Sequence, residues 1–213
     1  MKIVSAIFAL SILWALGALM YQLIVAWGGG RKDYSVPAGN PSEGVNYFFT
    51  KGMLPAHKET VSKHPVKFLV GVVMHTGALY AIFHLIIMNS IPFFETVSRY
   101  VAVPIVAAAL PTGLYLLARR AVSANLRKMS APDDYVAAAV TCGLLFMTLL
   151  YGFYPDSMRI PLFLYGAGLF FFMPLGKLRH VVFFFAARYN LGGRLGRRGV
   201  FPPQNEGSAD AAK

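Results

Sequence analysis

Five histidines punctuate this chain: His57, His64, His75, His84 and His180. Imidazole ligates metals as a neutral base and carries protons near neutral pH. His75 and His84 lie inside one long apolar run. His180 lies within or at the end of another, in FFFMPLGKLRHVVFFFAARYN at 170–190, with Lys177 and Arg179 beside it. An ionisable side chain at membrane depth is costly, so it usually faces other helices and has a partner there. Two such histidines on different helices can be the axial ligands of one haem iron.

Spacing tests this chemistry. His75 is eight residues beyond Lys67, and His180 is eight residues before Arg188. At 1.5 Å per residue, both lie roughly 12 Å from the same membrane face, on helices running in opposite directions. The rings are expected at one level, and a haem between them is six-coordinate, which favours electron transfer over oxygen chemistry. Lys177, one turn before His180, and the adjacent Arg179 then reach toward haem propionates or snorkel to the interface. The alternative is that both cations mark the membrane surface and His180 is interfacial. His84 follows His75 by nine residues, a half-turn around the helix and roughly 13 Å farther along it. Its level on the last run falls near Phe171, which is no ligand; a quinone hydrogen bond and simple core packing are the readings open to it. His64 precedes His75 by eleven residues, on the same face and roughly 16 Å below. There it caps the run, meets a partner or lines a quinone entry. His57 reads as a solvated loop residue.

The elements that must position these residues are membrane helices. The chain has 213 residues, 56% hydrophobic and only 14% charged, with mean hydropathy +0.54, too apolar for a soluble domain. A spanning helix needs about 20 mostly apolar residues. Five runs qualify: Ile3–Trp27, Phe68–Ile91, Val97–Ala118, Tyr135–Tyr154 and Ile160–Val182, the last continuing toward Arg188. Lys2 before the first run resembles a signal peptide, but no small-residue cleavage site follows, and the run is read as a retained helix. Pro104 and Pro111 predict a bend in the third run. Pro174 removes a backbone hydrogen bond in the fifth and, with Gly176, loosens packing there. The expected fold is an all-α integral membrane protein, a five-helix transmembrane bundle over 1–190, followed by a partly disordered cytoplasmic tail over 191–213.

The net charge of +11 alternates along the loops. Cations crowd 31–67, 119–128 and the tail, while Arg99 and Arg159 are alone in the other two loops. The positive-inside rule places the N-terminus outside and the C-terminus in the cytoplasm. The charge is therefore a topology signal rather than a nucleic-acid footprint. The single cysteine, Cys142, excludes an intramolecular disulfide, a C-x-x-C-H haem attachment and a cysteine-bound iron–sulfur cluster in this chain. No chain of acidic residues crosses the membrane, which argues against a proton pump or cation carrier. Trp27, Tyr151 and Tyr154 fit an interfacial belt.

Two segments carry a resemblance. VVMHTG at 72–77 and PLGKLRHVV at 174–182 resemble the haem-ligand segments of the respiratory nitrate reductase gamma-subunit superfamily. Within it, GMLPAHKETVSKHPVKF at 52–68 and GRRGVFP at 196–202 are similar to the cytochrome b subunits of heterodisulfide-reductase-like (Dsr-, Hmc- and Tmc-type) membrane redox complexes. The resemblance implies one haem b held by His75 and His180. It also implies a cytoplasmic iron–sulfur subunit of the heterodisulfide reductase catalytic type as partner, alongside other membrane and periplasmic cytochrome subunits. In the nitrate reductase branch a second haem uses a later histidine on helix 2, matched by His84, and one early on the last helix. The latter position falls at about Leu162, which cannot ligate, so a second haem is not supported. The expected role is an electron-transfer subunit between the menaquinone pool, or a membrane-embedded neighbour, and that iron–sulfur partner. The rival within this class is a two-haem subunit with an external quinol-oxidising site; a redox-silent membrane anchor and a small-solute transporter are the rivals from other classes.

Overall fold

The structure is a computed structural model and describes residues 2–30, 33–55, 61 and 63–203. Among them all regular structure is helical. Four helices are long and apolar enough to cross a membrane: α1 (Lys2–Gly28), α3 (Pro65–Ser90), α4 (Glu95–Val122) and α6 (Pro132–Phe153). A fifth span exists if the broken pair Pro155–Phe172 and Lys177–Arg197 counts as one. The chain is thus a multi-pass membrane protein. The remaining helices are α2 (Pro41–Phe49), α5 (Ala124–Met129), α7 (Pro155–Phe172) and α8 (His180–Arg197). The chain divides into two compact units, Met1–Leu19 with Val66–Arg179, and Met20–Pro65 with His180–Lys213.

In the first unit each helix buries one narrow stripe and leaves the rest of its apolar surface outward, the pattern of a bundle in lipid. The stripe is Phe8, Ser11, Ala15 and Leu19 on α1, and Gly77, Ala81, His84, Leu85 and Met88 on α3. On α4 it is Ser98, Ala102, Val106, Ala109 and Gly113. Small residues let the backbones approach, since lipid supplies no hydrophobic drive between helices. A Cβ on Gly77 would meet the Ala109 Cβ at 2.1 Å, and one on Gly166 would meet Leu85 and Phe8, each at 2.9 Å. Phe8 packs edge-on against Phe163, with centroids 5.2 Å apart. α4 packs on α6 and α6 on α7. Despite Pro104 and Pro111, α4 continues through all 28 residues.

The expected fifth run, Ile160–Val182, is not one helix. α7 stops at Phe172, where both Leu175 and Gly176 donate backbone N–H groups to the Phe172 carbonyl at 2.9 and 3.1 Å. Pro174 offers no N–H to the Phe170 carbonyl, and its ring crowds that carbonyl in the preceding turn. A short 3-10 turn, Lys177–Arg179, leads into α8. The depth of His180 therefore does not follow from counting along a straight span.

In the second unit α2 packs on α8. Gly44 sits against the backbone of Gly192 and Gly196, where a Cβ would lie 2.2 Å from the Gly192 oxygen. Asn40 caps α2 by accepting from the Ser42 N–H at 3.0 Å. Ala38 and Gly39 donate to the Arg197 carbonyl at 2.8 and 3.0 Å, satisfying an end-of-helix acceptor. Arg188 donates to the Phe48 carbonyl at 2.7 Å, and Arg198 pairs with Asp33 at 3.2 Å. Helix continues to Arg197, past the boundary expected at 190. The end of the expected tail, from 204, and His57 lie outside the described residues.

Candidate functional site

His75 belongs to the first unit and His180 to the second. His75 is exposed on α3, and its Nδ1 lies 2.7 Å from the Gly71 carbonyl oxygen one turn earlier. A carbonyl only accepts, so Nδ1 carries the hydrogen, and in the neutral ring the lone pair is on Nε2. That is the arrangement by which a ligating histidine is oriented. A Cβ on Gly71 would touch nothing within 4 Å, so the flank of the helix below the ring is open. His180 is exposed and is the first residue of α8.

The cations expected to serve propionates part company. Lys177 is engaged by Asp134, Nζ to Oδ2 at 2.8 Å, and Arg120 approaches the same carboxylate at 3.5 Å. Lys177 thus closes an ion cluster between α4, the start of α6 and the 3-10 turn. Arg179 is exposed. His64 is also exposed; it precedes α3 rather than forming part of it, and its N–H bonds the Val61 carbonyl at 3.2 Å. The helical count that put it on the His75 face does not apply.

His84 is the opposite case, with 0% of its surface exposed. Its Nδ1 lies 2.6 Å from Ser98 Oγ, and Ser98 Oγ donates to the Glu95 carbonyl at 3.1 Å. The Tyr80 hydroxyl donates to the Ser98 carbonyl at 3.3 Å. The ring faces that of Tyr151, with centroids 5.6 Å apart. Tyr151 in turn donates its hydroxyl to Glu95 Oε1, as does Arg159 Nη2. Glu95, Tyr151 and Arg159 thereby tie the start of α4 to the end of α6 and the start of α7. Tyr151 is fully buried, not part of an interfacial belt. The sequence signal for this cluster was Glu95 and Arg159, opposite charges in the two loops otherwise poor in charge.

Leu162, the position a second haem would need, is 0% exposed within α7. Among the described residues no group of three or more histidine, cysteine or acidic side chains converges as a metal site. Comparison with protein families, with curated proteins and with solved structures finds no match for this chain.

Proposed function

We propose that the chain is the cytochrome b subunit of a multisubunit respiratory redox complex in the cytoplasmic membrane. It spans the membrane as a five-helix bundle, N-terminus outside and C-terminus in the cytoplasm, the orientation that its basic loops favour. Its haem b is held by His75 and His180, and electrons pass between the menaquinone pool, or a membrane-embedded neighbour, and a cytoplasmic iron–sulfur subunit. The observation that carries the reading is the Nδ1 bond from His75 to the Gly71 carbonyl, which orients an exposed imidazole inside a spanning helix and sets the tautomer that a ligating histidine uses. A bis-histidine haem, when bound, supplies a one-electron carrier with no open coordination position.

This chain's own residues have three tasks. His75 and His180 supply neutral nitrogen donors. Arg179, beside His180 in sequence, balances propionate charge, while Lys177 is held by Asp134. The cations of 31–67, 119–128 and 188–198 offer an acidic partner a basic surface. The buried, hydrogen-bonded His84 and the apolar Leu162 favour one haem over two.

A pyridine haemochrome assay on the purified subunit, with haem counted per polypeptide, tests the reading. One haem per chain, lost in His75→Ala and in His180→Ala, is the expected result. Two haems would require a ligand beside His84. A haem-free subunit from freshly extracted membranes would turn the reading to a redox-silent anchor.

A further inference from the structure

Several serine and threonine hydroxyls in these spans bond back to their own helix. Ser11 donates to the Phe8 carbonyl at 2.7 Å, Thr112 to Ala109 at 2.6 Å and Thr141 to Ala137 at 2.8 Å. Such back-bonding is the default for serine and threonine in helices. Thr148, only 2% exposed, departs from it: its Oγ1 has no protein partner. It lies one turn before Tyr151 on the same buried face of α6, and Tyr151 faces His84. His84 uses Nδ1 on Ser98, and its Nε2 has no protein partner either. A buried polar group left without a partner is costly, since it has given up its hydrogen bonds to water. Two of them on facing helices, in a region otherwise packed for low exposure, point to a common ligand small enough to need no large cavity.

We propose that His84 and Thr148 bind a water molecule, and that with Ser98, Tyr151 and Glu95 they form a proton-transfer site at the Ser90–Glu95 end of the helices. Only O–H and N–H bonds change. An excess proton arriving on the water passes to His84 Nε2 and leaves the water neutral, and the Nδ1 proton leaves to Ser98 Oγ at 2.6 Å. At rest the Ser98 hydroxyl donates to the Glu95 main-chain carbonyl, so it turns before the proton it gives up passes to the Glu95 carboxylate, a charge that acts on the His84 ring. Glu95 and Arg159 are 14% and 33% exposed, so the route opens to solvent there. The charged and titratable groups acting on the ring are Glu95 and Arg99 from α4 and Tyr151 from α6. Behind them stand Arg159 from α7, through Glu95, and Tyr80 from α3 itself, through Ser98. A site of this kind handles the proton that accompanies electron transfer to or from a hydroxyl-bearing carrier, yet it stands on these contacts alone and does not need the haem.

Deuterium exchange at the histidine C2–H, read by mass spectrometry on the full chain in lipid nanodiscs across a pH series, tests the site. Exposed His64 serves as the internal reference. The expected result is that His84, despite its burial, exchanges with a sigmoidal pH profile. Thr148→Val should slow it several-fold, and Glu95→Gln should move its midpoint. No exchange at His84 at any pH while His64 exchanges, or a profile unmoved by both substitutions, overturns the proposal. If either variant fails to fold, the wild-type profile decides alone, titrating exchange supporting the site and its absence refuting it. Loss of the haem reading through the haemochrome assay would leave this result untouched.

Discussion

Tyr151→Phe removes one oxygen atom and nothing else from the interior. The ring is 0% exposed and keeps its place against His84. What disappears is the hydrogen bond to the Glu95 carboxylate. Bonds to charged groups contribute about 1.5–3 kcal/mol. Glu95 keeps Arg159, so its charge is not orphaned and the lower part of that range applies, about 1.5–2 kcal/mol. For a chain of this length each kcal/mol shifts the melting temperature by about 2–4 °C. Tyr151→Phe should therefore lower the thermal midpoint by about 3–8 °C in intrinsic-fluorescence melting of the detergent-solubilised protein. The charge is what gives the bond its strength, so the same substitution in a Glu95→Gln background should cost only about 1 kcal/mol or less. Equal losses in the two backgrounds, or no loss in the parent, would refute the coupling of Tyr151 to Glu95.

His75→Ala and His180→Ala should each abolish b-type absorbance with membrane insertion intact; normal spectra in both would end the ligand assignment. Gly44→Leu places its Cβ 2.2 Å from the Gly192 oxygen and 2.6 Å from the Gly196 Cα. It should part α2 from α8 and speed proteolytic cleavage in 33–55, and an unchanged digestion pattern would contradict the packing. Gly77→Val, meeting the Ala109 Cβ at 2.1 Å, should destabilise the first unit by about 1–3 kcal/mol through overpacking, and an unaltered thermal midpoint would contradict it. Hydrogen bonds from Ser35 and Arg198 hold the Asp33 carboxyl well below the usual carboxylate range. Its contribution is full above the unfolded value of about 4 and is lost as pH falls through the folded value. Acidification below pH ~4 should loosen the α8 terminus, and Asp33→Asn should remove that dependence; an identical acid response in the variant would refute the clamp.

Apolar length made the first four spans legible, because a run of about 20 such residues has little choice but to cross as a helix. Pro65, whose missing N–H costs nothing in a first turn, stands at the head of α3. The break at 173–179 was half-readable: Pro174 was visible, yet greasy residues on both sides masked its consequence, and only the paired bonds onto the Phe172 carbonyl show the helix ending there. The α2–α8 pair was not readable. The composition of NLGGRLGRRG at 190–199 speaks for a loose tail when glycine is counted as a breaker, whereas Gly192 and Gly196, four apart, are the surface onto which Gly44 fits. Close approach between distant segments leaves no mark in either segment alone. The Glu95–Tyr151–Arg159 tie was hidden likewise, since each residue taken singly passes for a membrane-surface marker.

The contrast between His75 and His84 sharpens what α3 does. Nine residues separate them, so one helix turns them to opposite faces. The inner face carries Gly77, Ala81, His84, Leu85 and Met88, and its histidine bonds across to α4. The outer face carries Val72, His75, Leu79, Phe83 and Ile86, all exposed, and its histidine bonds back to its own helix. Packing alone selects no imidazole for an apolar outer face, where leucine would serve without the desolvation penalty of a polar ring. The intrahelical bond eases that penalty at Nδ1. The proposed haem ligation would give an imidazole a reason to stand on that face. His75→Leu separates these accounts: if the histidine merely packs, the leucine variant melts at or above the parent temperature in every preparation, whereas a haem ligand makes the variant less stable than the parent only when haem is supplied.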